Sequence, residues 1–291
     1  VVNREYPFVG HYFDRGDGIR MHYLDEGQGP PVVMVHGNPT WSFYYRHLIQ
    51  ELRRDHRCIV PDHVGCGLSD KPQTGYAYEL ADRTADFDKL IDSLKLAEPL
   101  TLVVHDWGGM IGMNHAVRHA KSIARLVILN TGGFPLPKAK PLPRVLKLGR
   151  NTRAGEYLIR QLNLFCRRTA AFGVKRRPLS AEARKGYLEP YDSWESRIAV
   201  ARFVQTIPLS DEDAGWAIVK QTEAGLSQFR DTPTLIGWGE QDFIFDTHFL
   251  AEWKSHLPKA TVMSWPEYGH YILEDAADEL IPAIGRFVRG S

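Results

Sequence analysis

The sequence predicts an α/β protein: a mostly parallel eight-stranded sheet, helices on both of its faces, and a helical cap. Three observations carry that class. Six short, continuous apolar runs recur along the chain, at 32–35, 58–61, 100–104, 126–129, 234–238 and 261–265. Amphipathic segments lie between most of them, near 41–53, 79–95, 109–119, 247–256 and 274–288. From Phe134 to about Asp213 the alternation stops, and no convincing strand is found.

Each element has its reason. Residues 8–26 alternate in polarity and turn at Arg15-Gly16-Asp17-Gly18, which reads as a hairpin and supplies the first two strands. Runs as short and continuous as the next six suit strands buried on both faces of a parallel sheet. Helices between such strands act as right-handed crossovers. The interruption opens with Pro135, Pro137, Pro141 and Pro143 and continues as short helices. It is read as a cap, residues 134–213, inserted after the sixth strand. Residues 1–133 and 214–291 form the core domain.

Composition narrows the class of partner. With 291 residues, 43% of them apolar, the chain can bury a large core. Its net charge of +1 gives no case for nucleic-acid binding. Charge is uneven, however: residues 138–185 hold 14 Lys or Arg against Glu156 and Glu182 alone. That stretch reads either as a solvated cap surface or as a docking face for a protein or a peripheral membrane contact. Cys58, Cys66 and Cys166 lack metal-type spacing and read as free thiols in a reducing compartment, so a cytoplasmic location is expected. No apolar run reaches the roughly 18 residues of a membrane span, and VVNREYPF has no signal-peptide pattern. No metal site or phosphate loop is apparent, so no cofactor is expected.

In open α/β sheets, ligands bind beyond the carboxyl ends of the strands. The residues that follow each run are therefore the candidates. The third run that follows the hairpin ends in LVVHDWGGMIG, where a sharp strand-to-helix turn offers Asp106. After the next-to-last run comes Asp242, and after the last comes His270. Nucleophile, acid and histidine in that order match the α/β-hydrolase triad, with aspartate in the place of serine.

HGNPTWS, DHVGCGLSDKP, VHDWGG, GWGEQDFIFD and YGHYILED together resemble the haloalkane dehalogenase family of α/β-hydrolases across nearly the whole chain. Asp106 then reads as a nucleophile that attacks saturated carbon and forms an alkyl ester. Water can cleave that ester at the aspartate's own carbonyl carbon, whereas a serine would form a stable ether. His270 reads as the base that activates this water, and Asp242 as the acid that orients it. Asp246 is a rival acid four residues on. One dehalogenase subfamily carries the acid after the sixth strand, where this chain has Asn130. The resemblance implies halide binding by Asn38 and Trp107, whose backbone N–H groups also form the oxyanion hole. Gly108 leaves room for the turn. His36, His63 and His105 read as turn or packing residues.

Asp106, His270, Asp242, Asn38 and Trp107 match the third dehalogenase subfamily. That clade also holds the β-lactone decarboxylases of bacterial olefin biosynthesis, which TGGFPLPKAKPLP and PYDSW resemble closely. The first expectation is hydrolysis of carbon–halogen bonds, with a small hydrophobic substrate, water and a bound halide. The alternative is decarboxylation of a cis-β-lactone to an alkene. Epoxide hydrolysis needs cap tyrosines, for which Tyr157, Tyr187 and Tyr191 are candidates. A non-catalytic binding protein of the same fold is the remaining reading.

Overall fold

The computed structural model describes residues 4–96 and 98–290. Eight strands form one sheet: β1 (Gly10–Asp14), β2 (Arg20–Glu26), β3 (Pro31–Val35), β4 (Arg57–Pro61), β5 (Leu100–Asp106), β6 (Ile123–Thr131), β7 (Thr234–Gly239) and β8 (Thr261–Trp265). Their spatial order is β1-β2-β4-β3-β5-β6-β7-β8. β2 alone runs against its neighbours, as the tight hairpin requires. All the other pairs are parallel.

Parallel pairs need crossovers, and these are helical. They include α1 (Arg46–Leu52), α2 (Leu80–Ser93) and α3 (Trp107–Arg118). Five helices lie between β6 and α9 (Trp216–Gly225): α4 (Arg144–Asn151), α5 (Arg153–Arg160), α6 (Leu164–Phe172), α7 (Ala181–Leu188) and α8 (Ile198–Gln205). α9 itself packs on α3 and so joins the helical layer of the core. The chain ends with α10 (Thr247–His256), α11 (Ile272–Asp275) and α12 (Ala277–Arg289), so the single segment expected at 274–288 is two helices.

The central strands are buried on both faces, as their unbroken apolar runs require. Val32, Met34 and Val103 face one layer with Leu48 of α1 and Ile284 of α12. Val33, Val35, Leu102 and Val104 face the other, with Phe87 of α2 and Ile111 of α3. β8 departs from this pattern: it is the sheet edge, and its residues are partly or fully exposed. No helix among the described residues is long and apolar enough to cross a membrane. The three cysteines are free and buried.

Chain order fixes where a site can form. From β3 the chain moves outward to β4, then returns to the other side of β3 as β5. This reversal opens a crevice at the carboxyl ends of β3 and β5. Val35 pairs with Val104, so the loops after both strands start side by side.

Candidate active site

Asp106 is the last residue of β5, and α3 begins with Trp107. The turn holds Asp106 at φ +53° and ψ −127°, a sparsely populated region that costs a non-glycine residue about 1–3 kcal/mol. Packing of the turn against β3 maintains it. A Cβ at Gly108 would lie 2.0 Å from the Val35 carbonyl oxygen, so only glycine fits. The Thr131 hydroxyl donates to the Asp106 carbonyl from the other side.

The two oxygens of the Asp106 carboxylate have different surroundings. Oδ1 accepts the Asn38 backbone N–H at 2.6 Å, and the Trp107 backbone N–H also bonds the carboxylate. A Cβ at Gly37 would stand 2.0 Å from Oδ1, so this approach too depends on glycine. Oδ2 lies 3.7 Å from Nε2 of His270. Burial pushes the Asp106 carboxyl above its ordinary value, against the opposing pull of His270 and the two N–H groups.

His270 donates from Nδ1 to Asp242 Oδ2 at 2.7 Å. Burial pulls the imidazole pKa down, but the Asp242 carboxylate and Asp106 outweigh it, so the net shift is upward. Asp242 Oδ1 accepts the Ile244 N–H at 2.8 Å. The rival, Asp246, is engaged elsewhere. It caps α10 through His248 and pairs with Lys140 at 2.6 Å.

Two positioning residues escaped the sequence reading. Asn130, the position noted above only for lacking a carboxylate, donates to Asp242 Oδ2 at 3.1 Å and to the Gly239 carbonyl at 2.9 Å. Its own oxygen accepts the Gly239 N–H at 2.8 Å. It therefore ties β6 to the loop that carries Asp242. His105, read as packing, donates from Nε2 to the His270 carbonyl at 2.9 Å and stacks on Tyr44. Burial, with His270 nearby, holds its pKa well below the usual value, so it is a neutral donor. Its signal was its place directly before the turn. His36 and His63 bond one another's loops and stay buried, as expected of turn residues.

Asn38 and Trp107 stand beside Asp106 in the wall of a cavity of about 60 Å³. The Asn38 Nδ2 donates to the Val200 carbonyl of α8 at 3.2 Å. A second amide hydrogen remains for a ligand. Among the described residues the Trp107 indole N–H has no partner, and its ring packs on Phe203 with centroids 5.1 Å apart. Of sixteen residues lining the cavity, only Asn38, Asp106 and Trp107 carry a side-chain nitrogen or oxygen. A ligand here is therefore apolar except at its reacting end. Phe165 lines the cavity, whereas Phe172 and Trp194 do not.

None of the cap tyrosines lines it either. Tyr157 is exposed, Tyr187 donates to Glu274 at 2.5 Å, and Tyr191 donates to the Thr40 carbonyl at 3.2 Å. The epoxide reading thus lacks its proton donors. Among the described residues, one cluster has the composition of a metal site: Asp88, His115 and His119. It lies near the far end of α3 from Asp106, and Asp88 is already held by Arg118 and His115.

A family model described as the alpha/beta hydrolase fold matches residues 30–277. The chain belongs to the α/β-hydrolase fold family. It is 53% identical over 283 residues to a cis-3-alkyl-4-alkyloxetan-2-one decarboxylase of Shewanella oneidensis, covering 97% of this chain and 89% of that one. It is 46% identical to the decarboxylase of the same name from Xanthomonas campestris, with 97% of each chain covered. Haloalkane dehalogenase 2 of Mycobacterium tuberculosis is 33% identical over 96% of this chain and 94% of its own. Among solved structures, haloalkane dehalogenase DbeA from Bradyrhizobium elkani superposes with a TM-score of 0.85 at 27% identity, covering 97% of both chains. These relatives are thus enzymes named for two activities.

Proposed function

We propose that this protein decarboxylates cis-β-lactones carrying two alkyl chains, releasing an alkene and carbon dioxide. The observation that carries the reading is the step in identity at equal coverage, from 53% and 46% for the two decarboxylases to 33% for the dehalogenase. That step reverses the order of the two expectations drawn from sequence.

The chemistry follows from the site. Asp106 Oδ2, the oxygen on the His270 side, attacks the ring carbon that bears the lactone oxygen. The C–O bond breaks, and the ring oxygen leaves as a carboxylate still attached to the neighbouring carbon. The indole N–H of Trp107 and the free amide hydrogen of Asn38 receive this anion. The bond to the carboxylate carbon then breaks. Its electrons form the C=C bond and expel Asp106 as a carboxylate, with carbon dioxide as the second product. No water is consumed. The cationic form of His270, favoured by Asp242, stabilises the departing Asp106 charge.

Halide hydrolysis starts with the same attack, and the dehalogenase relatives keep it as a second reading. It differs in its second half. There a neutral His270 activates water, which attacks the Asp106 ester carbon and leaves its oxygen in the aspartate. Isotope labelling separates the two. Turnover of a cis-3,4-dialkyl β-lactone in ¹⁸O water is expected to give alkene and carbon dioxide, with no label in the Asp106 peptide by mass spectrometry. Halide release from a 1-bromoalkane with label in Asp106, and no alkene from the lactone, would falsify the decarboxylase reading.

A further inference from the structure

We infer that the cap face formed by α4 and α6 is a docking surface for an anionic lipid bilayer, placed over the route into the catalytic cavity. A second cavity, about 500 Å³ in volume, opens on this face. It shares Leu146, Phe165 and Val204 with the catalytic cavity, so the two adjoin at these three side chains.

The rim presents apolar groups to solvent. Val145 is 55% exposed, Leu148 41%, Phe172 60% and Phe243 40%. Eight large apolar side chains are exposed to this degree among the described residues, and these four line one cavity. Two more, Tyr157 and Leu162, are on the same cap. Such clustering marks an interaction site, whereas scattered exposed apolar residues do not.

Charge identifies the occupant. Arg144, Lys147 and Arg168 are exposed on α4 and α6, Lys175 is exposed in the loop that follows α6, and none has an ion-pair partner among the described residues. Arg168 and Lys175 line the cavity itself. Residues 138–185 carry 14 cations and 2 anions, an excess of +12, while the whole chain is +1, so the remainder carries −11. Five of those cations meet carboxylates, Lys140 with Asp246, Arg150 with Asp213, Arg160 with Glu156, and Arg176 and Arg177 with Asp278, so the charge offered at the rim is that of Arg144, Lys147, Arg168 and Lys175. An anionic bilayer attracts these four cations and accepts Val145, Leu148 and Phe172 among its acyl chains. A protein partner could cover the rim, but it would leave unexplained an apolar cavity that backs onto the reaction site. A bilayer accounts for both, because a lipophilic substrate passes from it without crossing water. The docking does not depend on whether the leaving group is a halide or a lactone oxygen.

Vesicle sedimentation of the full chain tests this. Vesicles of phosphatidylcholine mixed with phosphatidylglycerol are expected to bind the protein at low salt and to release it at high salt. Vesicles of phosphatidylcholine alone are expected to bind it poorly. Lys147→Glu/Arg168→Glu is expected to weaken binding at least about tenfold. Leu148→Ser/Phe172→Ser is expected to weaken it as well, and unchanged Tm in both variants shows that the fold is intact. No binding to either vesicle, equal binding to both, or binding indifferent to both variants overturns the proposal.

Discussion

Asn130→Asp tests whether Asn130 holds the acid of the site. The substitution keeps the side chain's size but replaces an amide donor with a carboxyl, 3.1 Å from Asp242 Oδ2 in a buried setting. If both groups were ionised, they would repel by about 5 kcal/mol at an effective dielectric of about 20. Keeping the introduced carboxyl protonated is cheaper. It costs about 1.4 kcal/mol for each pH unit above its unfolded pKa of about 3.9, hence about 4 kcal/mol at pH 7 and about 1.5 at pH 5. The cation on His270 offsets part of this, so both are upper figures. The introduced group's folded pKa is raised above its unfolded value. The stability it contributes as a protonated donor is therefore present below about pH 4 and lost as pH rises towards the folded pKa. At about 2 °C per kcal/mol, the Tm deficit against wild type grows from about 3 °C at pH 5 to as much as about 8 °C at pH 7. Differential scanning calorimetry of both proteins across that range measures it. A deficit that is constant, or that shrinks as pH rises, would refute the contact between these two side chains.

Three further expectations follow from the same geometry. In Gly108→Ala the new Cβ must move from 2.0 Å to an ordinary contact distance, displacing the turn by over an ångström. Turnover should fall about a hundredfold and stability by about 1–3 kcal/mol, and a variant with wild-type kcat and Tm would contradict that packing. As the proposed nucleophile Asp106 would react as its anion, and burial raises its pKa, so the acid limb of kcat/KM should lie above its ordinary 3.8; a pH–rate profile with the limb at or below that value would count against that role. Asp246→Ala should remove a helix cap and an ion pair, lowering stability by about 1 kcal/mol while leaving turnover intact; loss of turnover comparable to that of Asp242→Asn would return Asp246 to contention as the acid.

Much of the site was legible because it sits where strands end. Apolar runs announce buried strands, and the residue after each run falls at the ligand-binding edge whatever the details of packing. That logic led to Asp106, Asp242 and His270 before any distance was known, and the family resemblance added Asn38 and Trp107. It failed where a residue's part depends on what lies across the sheet. Asn130 closes a contact over 112 positions of sequence, and His105 one over 165. No local pattern encodes either.

By itself the sequence determined the fold class, the order of the chemical groups and the presence of a carboxylate at the strand-to-helix turn, because period and chain order are properties of the chain. Tertiary structure decided which of two nearby acids meets His270, that no cap tyrosine reaches the cavity, and that unpaired cations surround an exposed apolar rim. Those outcomes depend on distances between strands and helices, and only strand pairing and side-chain packing set them.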